Sequence, residues 1–118
     1  MDMRELLEVQ KKSRAFVEDI YRVTNRYPEH ELRGIARQMQ NASVSIVSNV
    51  VEGRARATRK DYAHFVNIAY ASAKELESQI QLSGRIGYLI NDEEQRLLSD
   101  IDEILRMLWC LNIELAIP

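Results

Sequence analysis

Hydrophobic residues recur every three or four positions along most of the chain, the spacing that places side chains on one face of an α-helix. Four such runs are present: Asp2 to about Asn25, about Glu29 to Glu52, Tyr62 to Ile86, and Asn91 to Leu115. Short links join consecutive runs. The pattern therefore predicts an all-α fold, an antiparallel up-down-up-down four-helix bundle that residues 1–118 form as a single domain.

Local signals predict where the helices begin and end. Glycine adopts the left-handed conformation at low cost, so Gly53 and Gly87 are predicted to end the second and third helices. Thr58 is followed three residues later by Asp61, which is the spacing of an N-terminal cap. Asn91 is predicted to be the N-cap of the fourth helix.

The stretch Ala42–Gly53 mixes small and apolar residues with polar ones. Three of its polar residues, Ser45, Asn49 and Glu52, fall on one helical face at spacing i, i+4 and i+7. The later run 69–77 carries two further polar residues, Ser72 and Glu75, three positions apart. Buried polar groups cost free energy unless they are hydrogen-bonded. We therefore predict an interhelical hydrogen-bond network between the second and third helices, formed by Ser45, Asn49, Glu52, Ser72 and Glu75.

The fourth helix carries two parallel apolar rows. The first contains Leu97, Ile101, Ile104, Leu108, Leu111 and Leu115, and beside it runs a second of Leu98, Leu105 and Trp109. This apolar surface is wider than one bundle core normally requires, so it favours a subunit interface. Helix four and helix one of neighbouring subunits are the surfaces predicted to meet. An unusually broad monomer core is the alternative.

Composition describes an ordinary globular protein: 46% of the 118 residues are hydrophobic, 29% are charged, and the formal net charge is −2. The lone cysteine, Cys110, lies in an apolar run, where we expect it to pack as a small hydrophobe. The chain shows neither an N-terminal apolar signal nor an apolar run long enough to span a membrane. These features predict a cytoplasmic protein without a membrane partner.

The charged residues do not form a recognisable metal or catalytic motif. Bundle-type dimetal sites need Glu-x-x-His pairs, whereas neither His30 nor His64 has a glutamate three residues before it. No histidine lies near the serines to activate one of them. We therefore predict no metal, no cofactor and no enzymatic activity. An uncharacterised enzyme or metal-binding bundle that uses buried carboxylates, such as Glu52, Glu75 and Glu77, is the alternative.

The connection between the second and third helices carries four positive charges, Arg54, Arg56, Arg59 and Lys60. A lone loop of this kind is usually only solvated. If subunits form a ring, the loop repeats around one face, and the repeated charge can bind phosphates. The sequence leaves RNA, DNA and a protein as candidate partners.

Several motifs closely resemble those of a known bacterial family. They are Tyr27-Pro28, the run Ala42–Gly53, Asp61-Tyr62-Ala63-His64-Phe65, the run Ala71–Gln79, and Gly87-Tyr88-Leu89. The resemblance covers about Tyr27 to the C-terminus and is to the bacterial four-helix bundle proteins encoded in intervening sequences of large-subunit ribosomal RNA genes. That family is similar to the accessory protein of diversity-generating retroelements.

The resemblance implies a four-helix bundle that assembles into a homopentameric barrel without enzymatic activity. The retroelement relative binds a reverse transcriptase and nucleic acid through a strongly basic surface. The present chain differs in charge, with an isoelectric point near 5.7. The family resemblance and the basic connection together predict a ring-forming scaffold or adaptor for nucleic acid or a nucleic-acid-processing protein.

Overall fold

The computed structural model describes residues 3–117, which form four α-helices and one short 3₁₀ turn. The helices are α1 (Met3–Thr24), α2 (Ile35–Arg54), α3 (Arg59–Ile86) and α4 (Asn91–Ala116), and the 3₁₀ turn is Glu29–Glu31. Each helix packs against the next in sequence and α1 also packs against α4, while among the described residues no Cα atoms of the diagonal helix pairs lie within 8 Å of each other. This arrangement confirms the predicted antiparallel four-helix bundle. The predicted helix start at Asp2 lies outside the described residues.

The core lies along the inward faces of all four helices. Fully buried large side chains come from every helix: Val9 and Ile20 from α1, Met39, Ile46 and Val50 from α2, Val66, Leu76 and Ile80 from α3, and Leu97, Ile101, Ile104 and Leu108 from α4. Such burial is the dominant favourable term in folding.

Two predicted helix termini, the start and the end of α3, are confirmed. Thr58 is the N-cap of α3, and its hydroxyl accepts a hydrogen bond of 3.1 Å from the Asp61 backbone N–H. Gly87 follows α3 in the left-handed conformation with φ of 99°. The Tyr88 N–H then donates to the Ser83 carbonyl at 2.9 Å, so carbonyls of the last turn keep their partners.

Two predicted helix starts are wrong. The N-cap of α4 is Ile90, and Asn91 is the first helical residue, without a capping hydrogen bond from its side chain. The chain from Glu29 forms one 3₁₀ turn and leaves the helical conformation at Gly34, so α2 begins at Ile35. Three acidic residues in the first turn of α4 favour a helix start there through the helix dipole.

The role predicted for Gly53 is also wrong, and packing explains why. Gly53 is buried inside α2, which continues to Arg54. Among residues 3–117 the left-handed conformation occurs at Gly87 alone. A Cβ atom on Gly53 would lie 2.9 Å from Tyr62 Cδ1 and 3.1 Å from Phe65 Cβ. Glycine is therefore required here because α2 and α3 approach too closely for a larger residue.

At the end of the bundle opposite Gly53, the Tyr27 side chain makes polar contacts. Its hydroxyl donates to the Met39 sulfur at 3.6 Å, and the Ser83 hydroxyl donates to the same sulfur at 3.5 Å. Burial raises the pKa of Tyr27. The Tyr27 ring also packs at 5.1 Å from the ring of Tyr88, which joins the two connections at this end.

We expect the Gly53→Ala substitution to lower the free energy of unfolding by about 1 to 2 kcal/mol, because overpacking outweighs the helix propensity that alanine gains. Urea denaturation followed by circular dichroism measures this change.

Gly84→Ala is the matched control. A Cβ atom there would meet the carboxylate of Glu94, which is the far end of a flexible side chain. That carboxylate can rotate away, so the control should be neutral or stabilising. A Gly53→Ala protein as stable as the native one would contradict a backbone contact that excludes a methyl group.

Candidate functional site

The predicted polar network between α2 and α3 is present in part. The Ser45 and Ser72 hydroxyls lie 2.8 Å apart and share a hydrogen bond across the two helices. The Asn49 side-chain amide donates to the Ser45 carbonyl at 2.8 Å and to its hydroxyl at 3.1 Å. All three residues are half-buried. The serine pair therefore links the helices, while Asn49 supports it from within α2.

The glutamates do not belong to this network, and their predicted place in it is wrong. Glu52 is exposed and forms an ion pair with Arg56, and the exposed Glu75 accepts a hydrogen bond of 3.2 Å from the Gln79 side chain. A carboxylate that can reach water avoids the cost of desolvation, which explains their position. Glu77 pairs instead with Lys74 at 3.0 Å. The carboxylates are thus separated rather than gathered in the core.

The basic residues between α2 and α3 contact other parts of the chain. The Arg54 guanidinium donates to the side-chain oxygen of Gln10 in α1. Arg56 pairs with Glu52 and lies over the ring of Phe65, with its Cζ 4.7 Å from the ring centroid. These two arginines hold the connection against α1 and α3.

The other two basic residues lie at the start of α3. The Arg59 guanidinium donates to the backbone carbonyl of Glu114, in the last turn of α4, where a positive charge also interacts favourably with the helix dipole. Lys60 is exposed. All four predicted basic residues therefore lie at one end of the bundle, and three of them also tie helix ends together.

The second apolar row of α4 divides between the core and the surface. Leu105 is buried, Leu98 is half-buried, and Trp109 is 54% exposed. The Trp109 ring packs against Tyr70 of α3, with 5.8 Å between ring centroids. Part of the second apolar row therefore widens the core and part stays on the surface.

Cys110 is exposed, so its predicted packing as a buried hydrophobe is wrong.

The outward side of α2 has a feature that the sequence reasoning missed. The exposed residues between Arg37 and Glu52 are all uncharged: Gln38, Asn41, Val44, Ser48 and Val51. The exposed residues of α3 between Asp61 and Lys74 are also uncharged: His64, Asn67, Ile68 and Ala71. The Ser45–Ser72 hydrogen bond brings these stretches side by side. We call them the α2–α3 face; its signal in the sequence is the absence of charge over residues 38–51.

The outward side of α1 is different. It carries exposed charges along its length: Arg4, Glu8, Lys11, Arg14, Glu18 and Arg22. At the seam with α4, Lys12 lies 3.0 Å from Glu103 and 3.7 Å from Asp100. Charged residues are depleted at the cores of protein interfaces. The contrast therefore favours the α2–α3 face over α1 as a surface for contact.

A surface pocket of about 260 Å³ lies at the end of the bundle that carries the basic residues Arg56 and Arg59. Tyr62 contributes to its wall, and the Tyr62 hydroxyl oxygen is fully buried without a hydrogen-bond partner among the described residues. Burial raises the pKa of Tyr62, and the positive charge of Arg54 partly opposes this. The hydroxyl is therefore protonated at neutral pH and can donate a hydrogen bond.

Within residues 3–117, no three His, Cys, Asp or Glu side chains are close enough to hold a metal ion together. None of the helices in that range combines the length and apolar character needed to cross a bilayer.

Comparisons with known proteins agree with the fold. The model of the 23S rRNA-intervening sequence protein family matches residues 5–110. A crystal structure of a protein of unknown function from the S23 ribosomal protein family of Bacteroides thetaiotaomicron is similar, with a TM-score of 0.86 and 23% sequence identity over 92% of this chain and 98% of that chain. No curated protein matches the sequence. The predicted family resemblance is confirmed, and the chain belongs to the 23S rRNA-intervening sequence protein family.

Proposed function

We propose that this protein is a non-enzymatic scaffold that assembles from several identical subunits. The observation that carries the proposal is the α2–α3 face, where exposed residues over more than three helical turns of α2 lack charge. Charged side chains normally dominate the exposed positions of a helix, as they do on α1. An uncharged outward surface is what a buried contact between subunits requires.

A second surface with exposed apolar residues complements this face. At the C-terminal end of α4, Trp109, Ile113 and Ile117 are each more than half exposed at spacing i, i+4 and i+8. The two surfaces differ in composition and lie on different helices, so a contact between them would be heterologous. Repeated by rotation, such a contact closes a ring. The family resemblance gives five as the expected number of subunits.

In such a ring the basic residues recur once per subunit. Because Arg54, Arg56, Arg59 and Lys60 lie at one end of the bundle, they would form a rim on one face of the ring. The rim would hold the partner, either nucleic acid or a protein that processes it. The arginines retain further N–H groups beyond those that contact the chain, since each guanidinium has five.

Light scattering coupled to gel filtration tests the assembly. At micromolar concentration we expect a mass several times the 13.7 kDa of the chain, and five times that mass for a pentamer. Val51→Asp places a charge on the α2–α3 face and should shift the protein toward the monomer, because a buried unpaired charge is costly.

Leu7→Asp is the control, since Leu7 is 49% exposed on the charged side of α1. This variant should keep the native mass. A native protein that elutes as a monomer would rule out the scaffold, and equal dissociation of both variants would exclude the α2–α3 face as the contact.

A salt titration tests nucleic acid as the partner. For RNA and single-stranded DNA, log affinity should fall against log salt concentration with a slope of about −0.7 for each phosphate contacted. Changing Arg54, Arg56, Arg59 and Lys60 together to glutamine should weaken binding and flatten the slope.

The opposite end of the bundle offers a control with the same change in charge: Arg22, Arg33, Arg37 and Arg85 are all exposed. Their change to glutamine should leave the slope nearly unaltered. If the native protein binds neither nucleic acid at low salt, the partner is a protein.

A further inference from the structure

Of the residues that define the α2–α3 face, His64 is the one whose side chain changes charge near neutral pH. It is exposed on α3, and the other members of the face are amides, a serine, an alanine and aliphatic residues. Histidine gains a proton between about pH 8 and about pH 5, a range in which carboxylates and the basic side chains normally keep their charge. A fall in pH therefore adds one positive charge to this face in each subunit.

The neighbours of His64 toward α2 offer an added proton little compensation. The His64 ring packs edge-on against the ring of Phe65, with 5.3 Å between centroids and 76° between planes. Arg56 lies over the same Phe65 ring, 4.7 Å from its centroid, so a protonated His64 would share that ring with a second positive charge. The carboxylate that α2 contributes here, Glu52, already pairs with Arg56.

The other charged groups around His64 balance one another or face elsewhere. On α3 itself, Lys60 and Asp61 lie four and three positions before His64, about one helical turn away, and their opposite charges offset each other. On α4, Glu114 lies beside Arg59, on the side of α3 that packs against α4. A protonated His64 is therefore a net positive charge on an otherwise uncharged surface.

Contact between subunits links this charge to assembly. This step rests on the proposed scaffold, in which the α2–α3 face meets the exposed apolar residues at the C-terminal end of α4 in a neighbouring subunit. In a free subunit a protonated His64 is hydrated, whereas in the contact it would lose water against apolar side chains. The charged residues that precede this part of α4, Asp102 and Arg106, already pair with each other at 3.1 Å. Protonation therefore favours the free subunit.

We propose that His64 makes the assembly of this protein dependent on pH: subunits associate while His64 is neutral and separate when it is protonated. The sign follows from linkage, because a contact that disfavours a bound proton strengthens as pH rises and weakens as pH falls through the range in which histidine titrates. Since His64 recurs once per subunit, every contact of a ring weakens together.

Sedimentation equilibrium of the native protein at about pH 8 and at about pH 5.5 tests the proposal. We expect the dissociation constant of the contact to rise at least about tenfold at the lower pH. Circular dichroism should show the same helix content at both values. A loss of helix at the lower pH would assign the change to unfolding and overturn the proposal.

Variants at exposed positions test the named side chain. His64→Gln stays neutral, so it should assemble with the same affinity at both pH values. His64→Lys carries a permanent positive charge and should be dissociated at both. His30→Gln, in the 3₁₀ turn at the opposite end of the bundle, is the control and should keep the native response to pH. Dissociation of His64→Gln at the lower pH, as in the native protein, would overturn the proposal.

The same measurement separates the role of His64 from the proposed scaffold. A native protein that assembles with equal affinity at both pH values would overturn the role of His64 and leave the scaffold intact. A native protein that is a monomer at both values would overturn the scaffold, and the role of His64 with it.

Discussion

The close approach of α2 and α3 is the constraint on which the rest of the structure depends. Small residues make it possible, since Ala69 and Ala73 are fully buried in α3 and Gly53 leaves no room for a methyl group. At such a separation hydroxyl groups can meet, and the Ser45–Ser72 hydrogen bond fixes which turns of the helices lie opposite each other. Backbones that approach closely gain many dispersion contacts, but they tolerate little change in side-chain volume.

The contact between α2 and α3 also determines which residues lie together on the surface of the bundle. It places the uncharged outer residues of α2 beside those of α3. At one end it positions Tyr62, whose ring lies against Gly53 and whose hydroxyl oxygen is buried. The arginines of the same end then join α2 and α3 to the ends of α1 and α4. The proposed contact and rim thus both depend on the register of two helices.

The sequence predicted the helices and most of the core because a period of 3.6 residues recurs in each run, and burial follows that period. It also identified Ser45 and Ser72, whose small hydroxyls can be satisfied between helices. It misplaced Glu52 because helical spacing assigns a residue to one face of a helix but does not show whether the residue lies in the core or at the exposed edge of the core. Gly53 was misread for a related reason: close packing and a left-handed helix end both favour glycine. The uncharged outer surface was visible in residues 38–51, but deciding that it faces outward required the positions of the neighbouring helices.

Disulfide formation between engineered cysteines measures the α2–α3 register most directly. In a Cys110→Ser background, Ser45→Cys with Ser72→Cys replaces two hydroxyls that lie 2.8 Å apart, so mild oxidation should form an intramolecular disulfide in high yield. Asn41→Cys with Ser72→Cys shifts one cysteine by about a turn and should remain largely reduced. To measure both results, the monomeric chains are separated under denaturing conditions and analysed by mass spectrometry. Efficient crosslinking of the first pair but not the second supports the register, and the reverse result would contradict it.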